Sequence, residues 1–192
     1  MNQRLQWQLN NLTRGLRFVL LNRNQLKLMI FTDAAFANTF DLHSQIGYVI
    51  CLTNNDVNVN LIHWSSTKCK RVTRSVLAAE LYAMTNGFDV EAVIKSTIER
   101  MLHISLSLIL LTDSKSLFDC LVKLETTSEK RLMIDLMCLR QSYERRKIAE
   151  IRWIDGNINP ADAMTKSKPC NALINLIDTN TIELKTTEWV ER

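Results

Sequence analysis

Glycine is scarce in this 192-residue chain, with four in all, at Gly15, Gly47, Gly87 and Gly156. Ordinary usage of about 7% would supply roughly thirteen. No two stand close enough to form a dinucleotide fingerprint, a P-loop or a nucleophile elbow, which argues against a nucleotide cofactor held by a glycine loop. Histidine is scarcer still. His43, His63 and His103 lie too far apart for a helical zinc pair. The five cysteines, Cys51, Cys69, Cys120, Cys138 and Cys170, include no close pair, so they read as reduced core thiols of an intracellular protein. Long apolar runs are missing as well: Met1 to Leu12 is polar, and Leu106 to Leu111 is too short to span a bilayer. What remains is 46% apolar and 23% charged, the balance of one soluble domain with extensions. A net charge of +4 permits a nucleic-acid partner without by itself pointing to one.

Hydrophobic periodicity organises the chain. Leu5, Leu9, Leu12, Leu16, Val19 and Leu20 recur at helical spacing, which predicts an amphipathic amino-terminal helix and a short polar linker over residues 1–24. The run Leu28 to Phe31, ending in Thr32-Asp33, has the pattern of a strand buried on both faces. Strands are expected over Gln45 to Leu52 and Asn60 to Ser65, joined as an antiparallel hairpin, and a long helix over Ser75 to about Lys95. A second buried strand, Leu106 to Leu111, also ends in Thr-Asp. Helices over Ser114 to Lys123 and Glu129 to Arg146, a strand over Ala149 to Asp155 and a helical turn at Pro160 to Lys166 follow. Residues 169–192 read as a polar tail with one weak helix. This order implies an α/β fold: a mixed five-stranded sheet, an antiparallel meander continued by parallel strands, flanked by helices and spanning residues 25–168.

Four carboxylates draw attention. An Asp ending a strand is often only a helix cap, but two apolar-Thr-Asp strand ends in one domain, Asp33 and Asp113, would set two anions side by side. Glu80 falls about 70° from the centre of the Leu77/Leu81/Met84/Phe88 stripe and so lies along the edge of the buried helix face. A fourth would come from Asp155 or Asp162, and spacing does not choose between them. Carboxylates converging without His or Cys make a hard oxygen site suited to Mg²⁺ or Mn²⁺. Two such ions about 4 Å apart can activate water and stabilise a leaving oxygen at a phosphodiester. The basic cluster Lys68, Lys70, Arg71 and Arg74 precedes the Glu80 helix; it reads either as a solvated loop or as a phosphate-tracking strip. Trp64 reads as core.

Six blocks occur in order: Phe31-Thr32-Asp33; Gly47-Tyr48-Val49; His63-Trp64-Ser65-Ser66-Thr67-Lys68; Ser75 to Glu80-Leu81-Tyr82; Thr112-Asp113-Ser114-Lys115-Ser116; and Asn159-Pro160-Ala161-Asp162-Ala163-Met164-Thr165-Lys166. Together they resemble the ribonuclease H domain at the carboxyl end of copia-type retrotransposon Pol polyproteins, over about residues 27–168. The leading segment resembles the connection to reverse transcriptase. The resemblance implies a ribonuclease H-like fold and a metal-dependent endonuclease that cleaves the RNA strand of RNA–DNA hybrids. Its catalytic, metal-holding carboxylates would be Asp33, Glu80, Asp113 and Asp162, with two Mg²⁺ ions, or Mn²⁺ in their place. Ser65, Ser66, Lys68, Lys70, Arg71 and Arg74 would lie along the hybrid. It further implies an adjoining reverse transcriptase, no membrane, and a cytoplasmic virus-like particle with access to the nucleus.

The chain departs from that family at Ala78, where a Glu is usual, and at Cys69, where a Gln is usual; no His lies near Asp162. Two rival readings stand beside it. One is an inactive remnant that keeps the fold and binds nucleic acid or a partner. The other is an integrase-like nuclease with Glu125 or Glu129 as its third carboxylate, which leaves the Asn-Pro-Ala-Asp block unexplained.

Overall fold

The computed structural model describes residues 2–54, 57–123, 127, 129–168, 170–184 and 186–191. After a short helix α1 (Gln3–Asn10), strands β1 (Lys27–Ala35), β2 (Gln45–Thr53) and β3 (Val59–Lys68) form the expected antiparallel meander. Helix α2 (Val76–Leu102) leads to β4 (Ser107–Thr112), followed by α3 (Lys115–Val122) and α4 (Met133–Glu144). Strand β5 (Glu150–Ile154), the short α5 (Asp162–Thr165), α6 (Asn171–Thr179) and β6 (Thr186–Glu191) complete the chain. The sheet order is β3-β2-β1-β4-β5-β6, with β1, β4 and β5 parallel. The five expected strands are thus present in a mixed sheet, and a sixth, β6, extends it antiparallel to β5.

Alternation along the strands divides the core in two. Leu28, Ile30, Ile46, Tyr48, Ile50, Leu108 and Leu110 point toward α2, α3 and α4. Met29, Phe31, Val49, Cys51, Ile109 and Leu111 point to the opposite face, where Ala161 and Leu176 join them. Because both faces are covered, the central strands are apolar at successive positions.

Helix α2 begins where the sequence indicates, with the Ser75 side chain accepting from the Ala78 N–H at 3.1 Å. It runs two turns beyond the expected end at Lys95. Ile94, Ile98 and Leu102 continue the apolar stripe against the core, and the Lys95–Glu99 pair at 2.5 Å supports the added turns. The helix stops at His103, which adopts the left-handed conformation. Trp64 is a correction: it lies on the edge strand β3 and is half exposed instead of joining the core. Among the cysteines, Cys51, Cys69 and Cys120 are buried, but Cys138 is exposed.

The amino-terminal segment departs most from its periodicity. Only residues 3–10 are helical, and beyond α1 the chain runs as an extended strap. Gly15 weakens a helix there, and side chains of the domain offer the backbone a better set of partners. Asn60 accepts from the Val19 N–H and donates to the Val19 carbonyl, both at 2.8 Å. Asn180 donates to the Arg17 carbonyl at 2.9 Å, and Arg14 pairs with Asp178 at 2.9 Å. The supposed stripe is left in solvent, with Leu12 and Leu20 strongly exposed. Deleting residues 1–22 should therefore preserve cooperative unfolding but lower stability by about 1–3 kcal/mol, because the buried Asn60 and Asn180 side chains lose partners. Urea denaturation of the truncated chain checks this.

Candidate metal centre

The parallel register of β1 on β4 ends at the pair Thr32 and Thr112, so the next residues, Asp33 and Asp113, stand side by side where the two strands part, with Asp33 still paired to β2. Glu80 reaches them from the second turn of α2. Among the described residues, Asp33, Glu80 and Asp113 each offer a carboxylate oxygen, and these atoms lie within 4.8 Å of one another. Asp33 and Glu80 are buried, 4% and 5% exposed, so the repulsion acts where water screens it little.

Asp162, at the start of α5, is close enough for its charge to act on all three. One of its oxygens accepts from Lys166 at 2.6 Å, and the other is buried with no donor. Asp155, the alternative from the sequence, is engaged elsewhere: it accepts from the Asn157 backbone at 2.8 Å and side chain at 3.0 Å, capping the turn Gly156–Ile158. Glu129 pairs with Arg131 at 3.1 Å and does not join the carboxylates; Glu125 lies outside the described residues.

Burial, more than any other cause, pushes the Glu80 carboxyl up to about 9, and the charges of Asp33 and Asp113 add to it against the Ala34 N–H. Burial also raises Asp33 to about 6, opposed by a hydrogen bond from the Thr165 hydroxyl and reinforced by Asp113 and Asp162. Asp113 is raised by burial and by Asp162, while the Asn159 side chain opposes. Burial would pull Lys166 down, but its bond to Asp162 and the charges of Asp162, Asp33 and Asp113 outweigh this and raise it.

The donor set is all oxygen, and buried acceptors on Glu80 and Asp162 have no hydrogen-bond donor. These are the features a hard divalent cation satisfies, and Asp33, Glu80 and Asp113 together could hold one.

Several supports escaped the sequence reading. The Asn159 side chain donates to the Thr32 carbonyl at 2.9 Å and accepts from the Ala161 N–H at 3.1 Å, tying the last segment to the end of β1. The Trp153 indole donates to the Asp113 carbonyl at 3.1 Å. Gly156 lies so close that a Cβ there would stand 3.0 Å from Asp113 Oδ2. A Cβ on Gly47, which pairs with Asp33, would stand 2.3 Å from the Met164 Cβ, so a side chain there would displace α5. Asn159, Thr165 and Lys166 stand within a block already singled out; what pointed to their roles was proximity to Asp162 alone.

The expected hybrid-facing residues divide. Ser65, Lys68, Lys70 and Arg71 line a groove of about 430 Å³ between β3 and α2. Ser66 instead lines a neighbouring groove and donates to the Met164 carbonyl at 2.5 Å. Lys68 pairs with Asp41; Arg71 pairs with Asp135 at 2.8 Å and stacks over Tyr82. Lys70 and Arg74 are exposed.

The raised carboxyls set a pH dependence. Glu80 binds its proton in the folded chain up to about 9, whereas the unfolded chain releases it near 4.5. Between those values the folded state holds the extra proton, so stability falls as pH rises. Glu91, buried about three turns further along α2 and pushed up to about 8 by burial, acts in the same direction. Without divalent metal, the melting temperature should fall from pH 5 to 9. Glu80→Gln and Glu91→Gln should each flatten part of that slope, as thermal unfolding across buffers would read.

No protein-family model and no curated protein matches the chain. Solved structures do. An RNase H1 from the halophilic archaeon Halobacterium salinarum is 16% identical and superposes with a TM-score of 0.55, covering 78% of this chain and 98% of that one. The LC11 RNase H1, from a compost metagenome and solved in complex with an RNA/DNA hybrid, is 18% identical with a TM-score of 0.56, covering 77% and 99%. An N-terminal RNase H domain from Mycobacterium tuberculosis is 16% identical with a TM-score of 0.52, covering 80% and 98%. The chain thus has the ribonuclease H fold.

Proposed function

We propose that this protein is a metal-dependent endonuclease that cleaves the RNA strand of RNA–DNA hybrids. The observation that carries the reading is the meeting of Asp33, Glu80 and Asp113 at the carboxyl ends of β1 and β4, with oxygen ligands only. The hybrid bound to the LC11 structure supports the choice of substrate. The six motif blocks support a finer reading, the ribonuclease H region of a copia-type retrotransposon Pol polyprotein beside a reverse transcriptase, acting in a cytoplasmic particle. In that reading residues 25–168 are the catalytic unit, with 1–24 as connection and 169–192 as carboxyl-terminal flank.

Asp33, Glu80, Asp113 and Asp162 would hold two Mg²⁺ ions, with Mn²⁺ as a substitute. Bound there, the ions supply an activated water on one side of the phosphodiester and charge stabilisation on the other. The chain does the rest. Burial of Asp33 and Glu80 keeps the carboxylates in a poorly screened setting that strengthens their grip on a cation. Asn159 and Trp153 fix the backbone that carries Asp33 and Asp113. Lys68, Lys70, Arg71 and Arg74, with the hydroxyl of Ser65, would run along the sugar–phosphate backbone of the hybrid, and Ser66 would meet it from the neighbouring groove.

A labelled hybrid should be cut in Mg²⁺ and left intact in EDTA, while matched RNA and DNA duplexes survive. Asp113→Asn should lower the rate by more than the about 10–100-fold typical of changes around a metal ligand, and leave the fold cooperative. Asp155→Asn should retain near-normal cleavage, because that carboxylate caps a turn. Full-rate cleavage by Asp113→Asn would refute the metal-centre reading.

Replacing Lys70 with Ala should weaken hybrid binding similarly for all sequences and reduce the salt dependence by about one counterion. Fluorescence anisotropy at several salt concentrations reads both effects.

A further inference from the structure

Thr165 closes α5 and is buried at 6% exposure. Its hydroxyl donates to Asp33 Oδ2, joining the last segment of the fold to the first carboxylate of the cluster. A threonine hydroxyl has a single proton, so this bond uses the whole of its donor capacity. The same oxygen stands 3.3 Å from the Asp162 carbonyl, within reach of the backbone that presents the fourth carboxylate.

Asp33 needs such a restraint. Rotation about the bond to an aspartate carboxyl group is broad and weakly quantised. Repulsion from Asp113 and Asp162 would turn the group away from the place where a cation must be held. The Thr165 side chain is itself locked. Its branched Cβ leaves little freedom at χ1, and its methyl group packs against Gly47, where an added Cβ would lie 3.1 Å from it. The backbone behind it is pinned from the β1–β2 loop and from β3. Asn38 donates to the Thr165 carbonyl at 3.3 Å, and Ser66 donates to the Met164 carbonyl at 2.5 Å.

We infer that Thr165 is a positioning residue that holds the Asp33 carboxylate in its metal-binding orientation against the repulsion of its neighbours, and so sets the affinity for the divalent ion. The inference rests on the metal-centre reading above and adds to it a residue that touches neither ion nor substrate. Thr165→Val keeps the branched shape and removes the donor; Thr165→Ser keeps the donor and removes the methyl.

The experiment titrates Mg²⁺ into the full chain and its Thr165→Val and Thr165→Ser variants. It follows heat release and melting temperature, with hybrid cleavage measured in parallel. Thr165→Val should need about tenfold more Mg²⁺ at half-saturation, the scale seen when an outer partner of a metal ligand is removed. Thr165→Ser should stay near the parent. A purely packing role would reverse that order, because the serine loses the packed methyl.

Equal Mg²⁺ midpoints for the parent and Thr165→Val overturn the inference while leaving the metal centre standing. A parent chain with no Mg²⁺ response in either binding readout overturns the metal-centre reading itself. Should Thr165→Val fail to fold, Thr165→Ala against Thr165→Ser decides in the same way: weak binding in the first alone supports the inference, and equal binding refutes it.

Discussion

The pairing of β1 with β4 is the constraint on which the centre of this molecule depends. Once Thr32 stands opposite Thr112 in a parallel ladder, Asp33 and Asp113 stand side by side where that ladder ends, in a sheet buried on both faces. Neither can retreat into solvent, because the strands behind them are anchored by Met29, Phe31, Ile109 and Leu111 in one core and by Leu28, Ile30, Leu108 and Leu110 in the other. Adding Glu80 from α2 then places three carboxyl groups where full ionisation is unfavourable. Without a cation the fold accommodates this by holding protons, most firmly at Glu80. Packing free energy thus maintains a local electrostatic conflict that an isolated peptide would relax by moving apart.

The last segment is built around that conflict. Asn159 fastens its entry to the end of β1, Gly47 clears the space that Met164 and Thr165 occupy, and Thr165 donates to Asp33. Lys166 brings a positive charge to Asp162 that also acts on Asp33 and Asp113. These contacts supply partial compensation of the same sign as a bound cation, although one ammonium cannot balance four carboxylates. Gly156 performs a related steric service at Asp113, where the backbone passes too closely for a side chain.

The groove between β3 and α2 follows a different logic. Several of its basic groups are engaged with acidic neighbours, Lys68 with Asp41 and Arg71 with Asp135, and Arg71 also rests on the Tyr82 ring. Exposed pairs of this kind contribute little to stability. The chain therefore keeps its cations ordered along the β3–α2 groove at small energetic cost. The amino-terminal strap is tied to Asn60 and to Asn180 just after α6, and adds no group to the carboxylate cluster.

Local patterning determined much of this protein. The continuous apolar runs ending in Thr-Asp marked β1 and β4, the stripe through Leu77, Leu81, Met84 and Phe88 marked α2, and Ser75 marked its start. Each of these signals arises from burial or capping within a few residues, so it is written in the chain itself. The same local logic misread the first 22 residues, where helical spacing lost to Gly15 and to partners more than forty residues away. It also stopped short of β6, whose pairing with β5 is long-range. Spacing left Asp155 and Asp162 as equals. The fold separated them, turning Asp155 onto its own Asn157 while bringing the charge of Asp162 to bear on the cluster. Composition and periodicity report which groups prefer to be buried. Which carboxylates share a space, and which hydroxyl restrains them, depends on distances set only when β1, β4, α2 and α5 pack together.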